Sequence, residues 1–222
     1  MLKIHGLTKS YPGTRARHLF VNLSLELGQG EFAAIMGESG VGKSTLLNLI
    51  AGLDAPDAGT IEVGGAEVTR LDDNARTLLR RDRMGFVYQA FHLLPHLTVA
   101  QNVRLPLDLA RVARREADSR MRAMVEAVGI AALADDYPRT LSGGEAQRAA
   151  IARALVHKPA LVLADEPTGN LDRASAKHVL ELMRDQVKAH AAAAILVTHS
   201  VSAAAVADRV LVLSNEGLRE QP

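Results

Sequence analysis

Phe32-Ala33-Ala34-Ile35-Met36-Gly37-Glu38-Ser39-Gly40-Val41-Gly42-Lys43-Ser44-Thr45 decides how the rest of the chain is read. Phe32 to Met36 is an unbroken apolar run, the pattern of a strand buried on both faces. Gly37 to Thr45 fits G-x-x-x-x-G-K-[ST] in full, and the residues from about Gly42 to Ala51 read as a helix, followed by Gly52. Strand, glycine loop and helix in that order make a cradle for anions. Gly37, Gly40 and Gly42 permit backbone angles that turn successive N–H groups inward, and the helix N-terminus adds partial positive charge. The loop as a whole, Glu38, Ser39, Val41 and Thr45 included, is assigned to phosphate binding. Lys43 supplies an ammonium for β- and γ-phosphates, and the Ser44 hydroxyl is a hard oxygen suited to Mg²⁺. This element reads as a nucleotide-phosphate binder and does not tell a kinase from a GTPase or an ATPase.

A second strand supplies the acids that such a loop needs. Leu161-Val162-Leu163-Ala164 runs into Asp165-Glu166. Carboxylates at the C-terminal end of a parallel strand lie where α/β sheets bind ligands. Asp165 is placed to hold Mg²⁺ through its water shell. Glu166 is the candidate to orient attacking water or accept its proton. Alone, an acidic pair after a strand reads as a loop start or helix cap; downstream of a phosphate loop it reads as chemistry.

Outward from these two strands the chain alternates strand-like and helix-like blocks, an α/β pattern. Leu2 to Leu7 and Leu19 to Leu27 are strand-like, with turns at Tyr11-Pro12-Gly13 and Gly28-Gln29-Gly30. Thr60 to Val68 reads as a hairpin turning at Gly64-Gly65. From about residue 90 to 158 helical spacing takes over. Ala117, Met121, Met124, Val125 and Val128 share one helix face, with Gly129 as a stop. Pro106 kinks or interrupts a helix spanning Val99 to Val112. After Leu161 to Ala164 the alternation resumes: a helix from about Ala174 to Lys188, a buried strand Ala194 to Thr198, a short helix Ser202 to Ala207 and a last strand Asp208 to Ser214. The cluster Arg76, Arg80, Arg81 and Arg83 reads as a solvated helix face, the alternative being a face turned to anionic lipid or to a partner's acidic helix.

Composition limits the alternatives. The 222 residues are 48% hydrophobic and 23% charged, ordinary for one folded domain. A net charge of +1 gives no bulk electrostatic case for nucleic acid, and none is expected as a partner. The absence of cysteine excludes disulfides, thiolate metal sites and thiol chemistry. The longest apolar run, Ala191 to Val197, is too short to span a bilayer, and Met1 to His5 begins no signal peptide.

Leu141-Ser142-Gly143-Gly144-Glu145 precedes a helix that starts near Ala146 and runs toward His157. In isolation Ser142 and Glu145 read as a capping box. The same residues form a second backbone anion nest, which one chain needs only if it serves another subunit. In these residues the chain resembles the nucleotide-binding subunit of an ATP-binding cassette (ABC) transporter, over essentially its whole length. Gly37 to Thr45 is similar to the family's Walker A loop, and Gln89, after Gly85-Phe86-Val87-Tyr88, to its Q-loop glutamine. Leu141 to Glu145 resembles the signature, Leu161 to Glu166 the Walker B strand and Gly169-Asn170-Leu171-Asp172 the D-loop. His199 stands as the switch histidine, and Tyr11 where the family stacks an aromatic on adenine. A lone Gln, His or Tyr would mean little; the order and spacing carry these three.

The resemblance implies a P-loop NTPase (RecA-like) α/β core, an N-terminal antiparallel β subdomain and an inserted α-helical subdomain. The chain would be a single domain over 1–222, with core and β subdomain in 1–89 and 159–222 and the helical subdomain in 90–158. It implies ATP and Mg²⁺ as cofactors and ATP hydrolysis as the activity, with Glu166, His199 and Lys43 catalytic. Ser44, Gln89 and Asp165 would face the metal. Two copies would pack head-to-tail, Ser142, Gly143 and Gly144 of one closing on the γ-phosphate held by Lys43 of the other, with Asp172 coupling the two sites.

Val87 to Val99 and Ala164 to Asp172 resemble one branch, the ATPases of lipoprotein release, macrolide and peptide efflux, and the cell-division ABC complex. That branch drives membrane subunits with four transmembrane helices and a large extracytoplasmic domain. A peripheral position on the cytoplasmic face of the inner membrane follows from the resemblance. Gln101 and Ala146 depart from the branch pattern at positions that carry no chemistry. An end at Pro222 suggests a subunit separate from its membrane domain, without the C-terminal regulatory domain of sugar importers. The alternative is an ATP-dependent dimerisation switch, as in a cell-division complex or a soluble ABC protein.

Overall fold

The structure, a computed structural model, describes residues 1–11, 17–214 and 217–221. The turn expected at Tyr11-Pro12-Gly13 therefore falls, beyond Tyr11, outside the described residues. Ten strands occur among them: β1 (Leu2–Tyr11), β2 (Arg17–Leu27), β3 (Phe32–Met36), β4 (Ala58–Val63), β5 (Ala66–Glu67), β6 (Met84–Tyr88), β7 (Leu161–Asp165), β8 (Ala193–Val197), β9 (Arg209–Ser214) and β10 (Gly217–Glu220). The helices are α1 (Lys43–Ile50), α2 (Asp73–Arg83), α3 (Val99–Leu109), α4 (Arg114–Ala127), α5 (Gly143–Leu155), α6 (Arg173–Ala189) and α7 (Val201–Ala204).

The central sheet has the order β10-β9-β3-β8-β7-β6, and a four-stranded antiparallel sheet has the order β2-β1-β4-β5. In the central sheet β9, β3, β8, β7 and β6 run parallel, and β10 alone is antiparallel. The parallel strands are short and apolar, and their alternate side chains feed two cores. Ala33, Ile35, Leu161, Leu163, Ile195 and Val197 face α1 and the antiparallel sheet. Ala34, Val87, Val162, Ala164, Ala194 and Leu196 face α3, α4, α5 and α6. This is the α/β architecture with an antiparallel β layer and a helical block between β6 and β7. The hairpin at Gly64-Gly65 has φ of 57° and 86°, the paired positive values that a two-residue primed turn demands.

The structure departs from the sequence expectations locally. Helix α3 runs uninterrupted through Pro106 and ends at Leu109 rather than Val112. Its start is fixed by a Thr98–Gln101 capping box, and the fully buried Asn102 amide donates to the carbonyls of Leu94, Leu97 and Thr98. Helix α5 starts at Gly143, so both signature glycines lie in its first turn. Helix α7 occupies Val201–Ala204, earlier than Ser202 to Ala207. Strand β9 is followed by β10, so it is not the last. The basic cluster on α2 is only partly solvated: Arg76 donates to Val68 O and Arg80 to the carbonyls of Ala51 and Gly52, stitching α2 to the end of α1.

His157 follows α5 against β6, and its Nε2 donates to Met84 O at 3.0 Å. Nδ1 is buried without a hydrogen-bond partner. Burial holds this imidazole below the ordinary 6.5, against the opposing pull of the Met84 carbonyl and Asp82. The folded state thus favours neutral His157, whose stabilising contribution is present above pH 6.5 and lost as pH falls through the depressed value. We expect His157→Gln, which can still donate to Met84 O, to lose less stability than the native chain between about pH 7.5 and pH 5. Urea midpoints at both pH values check this, and an equal loss in the two proteins would remove His157 from the account.

Candidate active site

Register brings the chemistry to one edge. Ile35 pairs with Val197, Val197 with Asp165, and Asp165 with Tyr88. The residues that leave this row are the phosphate loop from β3, Thr198 and His199 from β8, Glu166 from β7 and Gln89 from β6. All lie at the C-terminal ends of parallel strands.

The loop is shaped for close approach. A Cβ on Gly37 would lie 2.5 Å from Leu213 O, so no side chain fits between the loop and β9. Gly40 (φ 75°) and Gly42 (φ 111°) take the left-handed region. Gly42 caps α1 with no side chain, and no acid occupies the helix's first turn, so its N–H groups keep their positive potential. The Lys43 ammonium donates to Gly37 O at 2.8 Å and Glu38 O at 2.9 Å, which folds it back over the loop. A cavity of about 820 Å³ opens beside Gly37, Glu38, Ser39, Val41 and His199.

Ser44, at the start of α1, and Asp165, at the end of β7, are neighbours at this edge. Burial pushes the Asp165 carboxyl up from the ordinary range, and the nearby Glu166 adds to this, while the Ser44 hydrogen bond and Lys43 oppose it. Two hard oxygen donors side by side, with an anion held reluctantly, suit a small divalent cation. Gln89, the third residue expected at the metal, is directed elsewhere: its Nε2 donates to Asn170 Oδ1 at 3.1 Å.

Glu166 is unusual in its backbone. Its φ is +46°, left-handed for a residue with a Cβ, which costs on the order of 1–2 kcal/mol. Two hydrogen bonds hold it there, Glu166 N to Val197 O at 2.9 Å and Gly169 N to Glu166 O at 3.0 Å. Its carboxylate accepts from His199 Nδ1 at 2.8 Å and from the buried Thr198 hydroxyl at 3.3 Å. A carboxylate can only accept, so the contact places the His199 proton on Nδ1 and leaves Nε2 available.

The remaining expected residues are placed as follows. Tyr11 is exposed at the end of β1; its hydroxyl donates to Asp54 Oδ2 at 3.0 Å, and Lys9 Nζ sits 5.0 Å from its ring centre. Lys9 also donates to Asp54 Oδ1 at 2.9 Å. Sequence reasoning singles out neither Lys9 nor Asp54, although Lys9 stands two residues after Leu7 on the inward phase of β1. Ser142 caps α5 in a reciprocal box with Glu145, as its isolated reading expects. Asp172 caps α6, and hydrogen bonds from Ser175 and Ala174 hold its carboxyl below the usual range. Ser142 and Lys43 each bond locally, the one within its capping box and the other within its own loop.

The chain matches the family described as ABC transporter over residues 20–169. It belongs to the ABC transporter ATP-binding family. It is 46% identical over 221 residues to the lipoprotein-releasing system ATP-binding protein LolD of Pseudomonas syringae pv. tomato, covering 99% of this chain and 97% of that one. An uncharacterised ABC transporter ATP-binding protein of Mycobacterium tuberculosis is 45% identical over 201 residues, 90% of this chain and 81% of that one. Among solved structures, the ATP-binding cassette MJ0796, described as a dimeric post-hydrolysis state bound to ADP and Pi, superposes with a TM-score of 0.87 at 36% identity. The match covers 100% of this chain and 98% of that one. The family hydrolyses ATP, and this cassette is an ATPase of that kind.

Proposed function

We propose that this cassette is the motor subunit of a lipoprotein-releasing or closely related efflux complex, working as a head-to-tail homodimer on membrane subunits. The observation that carries the catalytic part is the single edge at which the phosphate loop, Asp165, Glu166 and His199 leave neighbouring parallel strands, with Glu166 bonded to His199. The 46% identity to LolD over nearly the whole chain supports the lipoprotein reading.

In this reading the phosphates lie on the N–H groups of the Gly37–Thr45 loop, with Lys43 exchanging its two carbonyl partners for β- and γ-oxygens. Tyr11 receives the adenine, its ring held by Asp54. Ser44 and Asp165 would hold Mg²⁺, and Gln89 would turn to join them. The metal would supply positive charge that offsets the negative charge gathering on the transferred phosphoryl group. Glu166 takes the proton of the attacking water, and His199, oriented by Glu166, offers Nε2 toward the γ-phosphate. Ser142, Gly143 and Gly144 present the first turn of α5 to the partner copy's nucleotide, an anion site made by a helix N-terminus. Asp172 couples the two sites across the dimer. No helix among the described residues is long and apolar enough to cross a membrane. The proposed position is peripheral, on the cytoplasmic face, against membrane subunits of four helices and a large extracytoplasmic domain.

The test is co-purification from native membranes with tagged Glu166→Gln chain, ATP and Mg²⁺, followed by mass spectrometry. A four-helix membrane protein with a large extracytoplasmic domain is the expected companion. Recovery of soluble proteins or nucleic acid alone would overturn the transport reading.

A further inference from the structure

The segment that leaves β7, Glu166 to Asp172, touches three separate parts of the site. Glu166 holds His199. Gly169 lies against the Gln89 side chain, so closely that a Cβ there would come within 2.7 Å of Nε2 and 2.8 Å of Cδ. Asn170 closes a two-point clasp on the same residue. It accepts from Gln89 Nε2 at 3.1 Å and donates from Nδ2 to the backbone carbonyl of Gln89 at 3.0 Å. Leu171 packs on the signature, where a Cβ on Gly143 would lie 3.1 Å from Leu171 Cδ2, and Asp172 caps α6.

The other end of the Gln89 loop is also pinned. Phe91 and His92 are consecutive left-handed residues, with φ of 59° and 49°. Arg153 of α5 donates to both their carbonyls. The loop is therefore constrained at both ends, with the Gln89 amide committed to Asn170 rather than to Ser44 and Asp165.

We propose that Asn170 is a positioning residue that holds Gln89 off the metal, so that Mg²⁺ gains its third protein contact only when the Asn170–Gln89 clasp opens. This rests on the proposal that Gln89 turns to the metal. The physical content is a competition. The Gln89 side-chain amide has one oxygen and one NH₂ group, and a rotation that carries the oxygen to the metal breaks the Nε2 bond to Asn170. Both clasp residues are exposed, so each bond is worth little alone. Because Asn170 lies in the same segment as Asp172, the residue proposed to couple the two copies, a displacement of that segment would open the clasp and free Gln89.

The clasp can be removed from either side. Asn170→Ala deletes both hydrogen bonds. Gly169→Ala keeps Asn170 but puts a methyl where Gln89 lies, and Gly169 does not occupy the left-handed region, so alanine meets no backbone strain. The readout is the dissociation constant of ATP for the full chain, by calorimetry, in Mg²⁺ and in EDTA. In both variants the ratio of the EDTA to the Mg²⁺ constant should rise by about three- to tenfold, as expected for losing one or two weak competing bonds. The EDTA constant itself should stay within about twofold. In Gln89→Ala the ratio should fall, and adding Asn170→Ala to it should change nothing further.

An unchanged or lower ratio in both Asn170→Ala and Gly169→Ala would overturn the clasp. A Gln89→Ala ratio equal to the native one would instead overturn the assignment of Gln89 to the metal, so the two failures are told apart.

Discussion

Glu166→Gln lowers the steady-state ATPase rate by about 100-fold or more, the usual contribution of a positioned general base, and leaves ATP binding within about twofold. The geometry makes the substitution clean. Glutamine keeps the volume, and its Oε1 can still accept from His199 Nδ1, the 2.8 Å contact that orients the ring. The Thr198 hydroxyl, now 3.3 Å from the carboxylate, can reverse and accept from the new amide. Only the basic oxygen is lost. The left-handed backbone at residue 166 is maintained by main-chain bonds to Val197 and Gly169, so the exchange does not disturb it. Phosphate release under multiple turnover, with ATP affinity measured separately, checks the result. A variant within about threefold of the native rate would take proton abstraction away from Glu166.

Gly85→Ala should cost about 3 kcal/mol of folding stability, the upper part of the range for overpacking, and lower the melting temperature by about 6–12 °C. Gly85 lies in β6, and a Cβ there would come 2.1 Å from Ala154 O and 3.3 Å from Ala154 Cβ. The obstacle is main chain of a buried helix, so no rotamer change relieves it. Backbone of β6 and backbone of α5 touch at this point, and a methyl group forces them apart. Thermal unfolding by circular dichroism measures the shift, and a melting temperature within about 1 °C of the native one would mean that α5 yields at no cost. Movement of α5 should also be felt at Arg153, which braces the carbonyls of Phe91 and His92 beside Gln89.

The central strands and the phosphate loop are legible in the sequence because their signals are local. An unbroken apolar run, a glycine series and an immediate helix leave little choice for residues 32 to 50. The hairpin at Gly64-Gly65 is equally local. Strand β10 escapes such reading because Leu218 is its one large apolar residue and it pairs at a sheet edge, where solvent accepts polar side chains. Pro106 misleads because the rule against interior proline treats a helix in isolation. In α3, Val99, Val103 and Leu107 are fully buried, and packing outweighs one missing N–H. In the site, the motif residues announce themselves, but their pairings do not. That Gln89 bonds Asn170, 81 positions away, or that Lys9 and Asp54 hold Tyr11, depends on how loops from different strands meet. No periodicity encodes such a meeting.

The helical block shares its buried interior with one face of the catalytic sheet. Val103 and Leu107 of α3, Met124 of α4 and Ile151 of α5 belong to the same continuous cluster as Val87, Ala164 and Leu196 of the strands. Close-packed interiors resist compression and pass displacement on. The block and the sheet therefore share one packed interior with no gap between them, so a displacement of one is felt by the other.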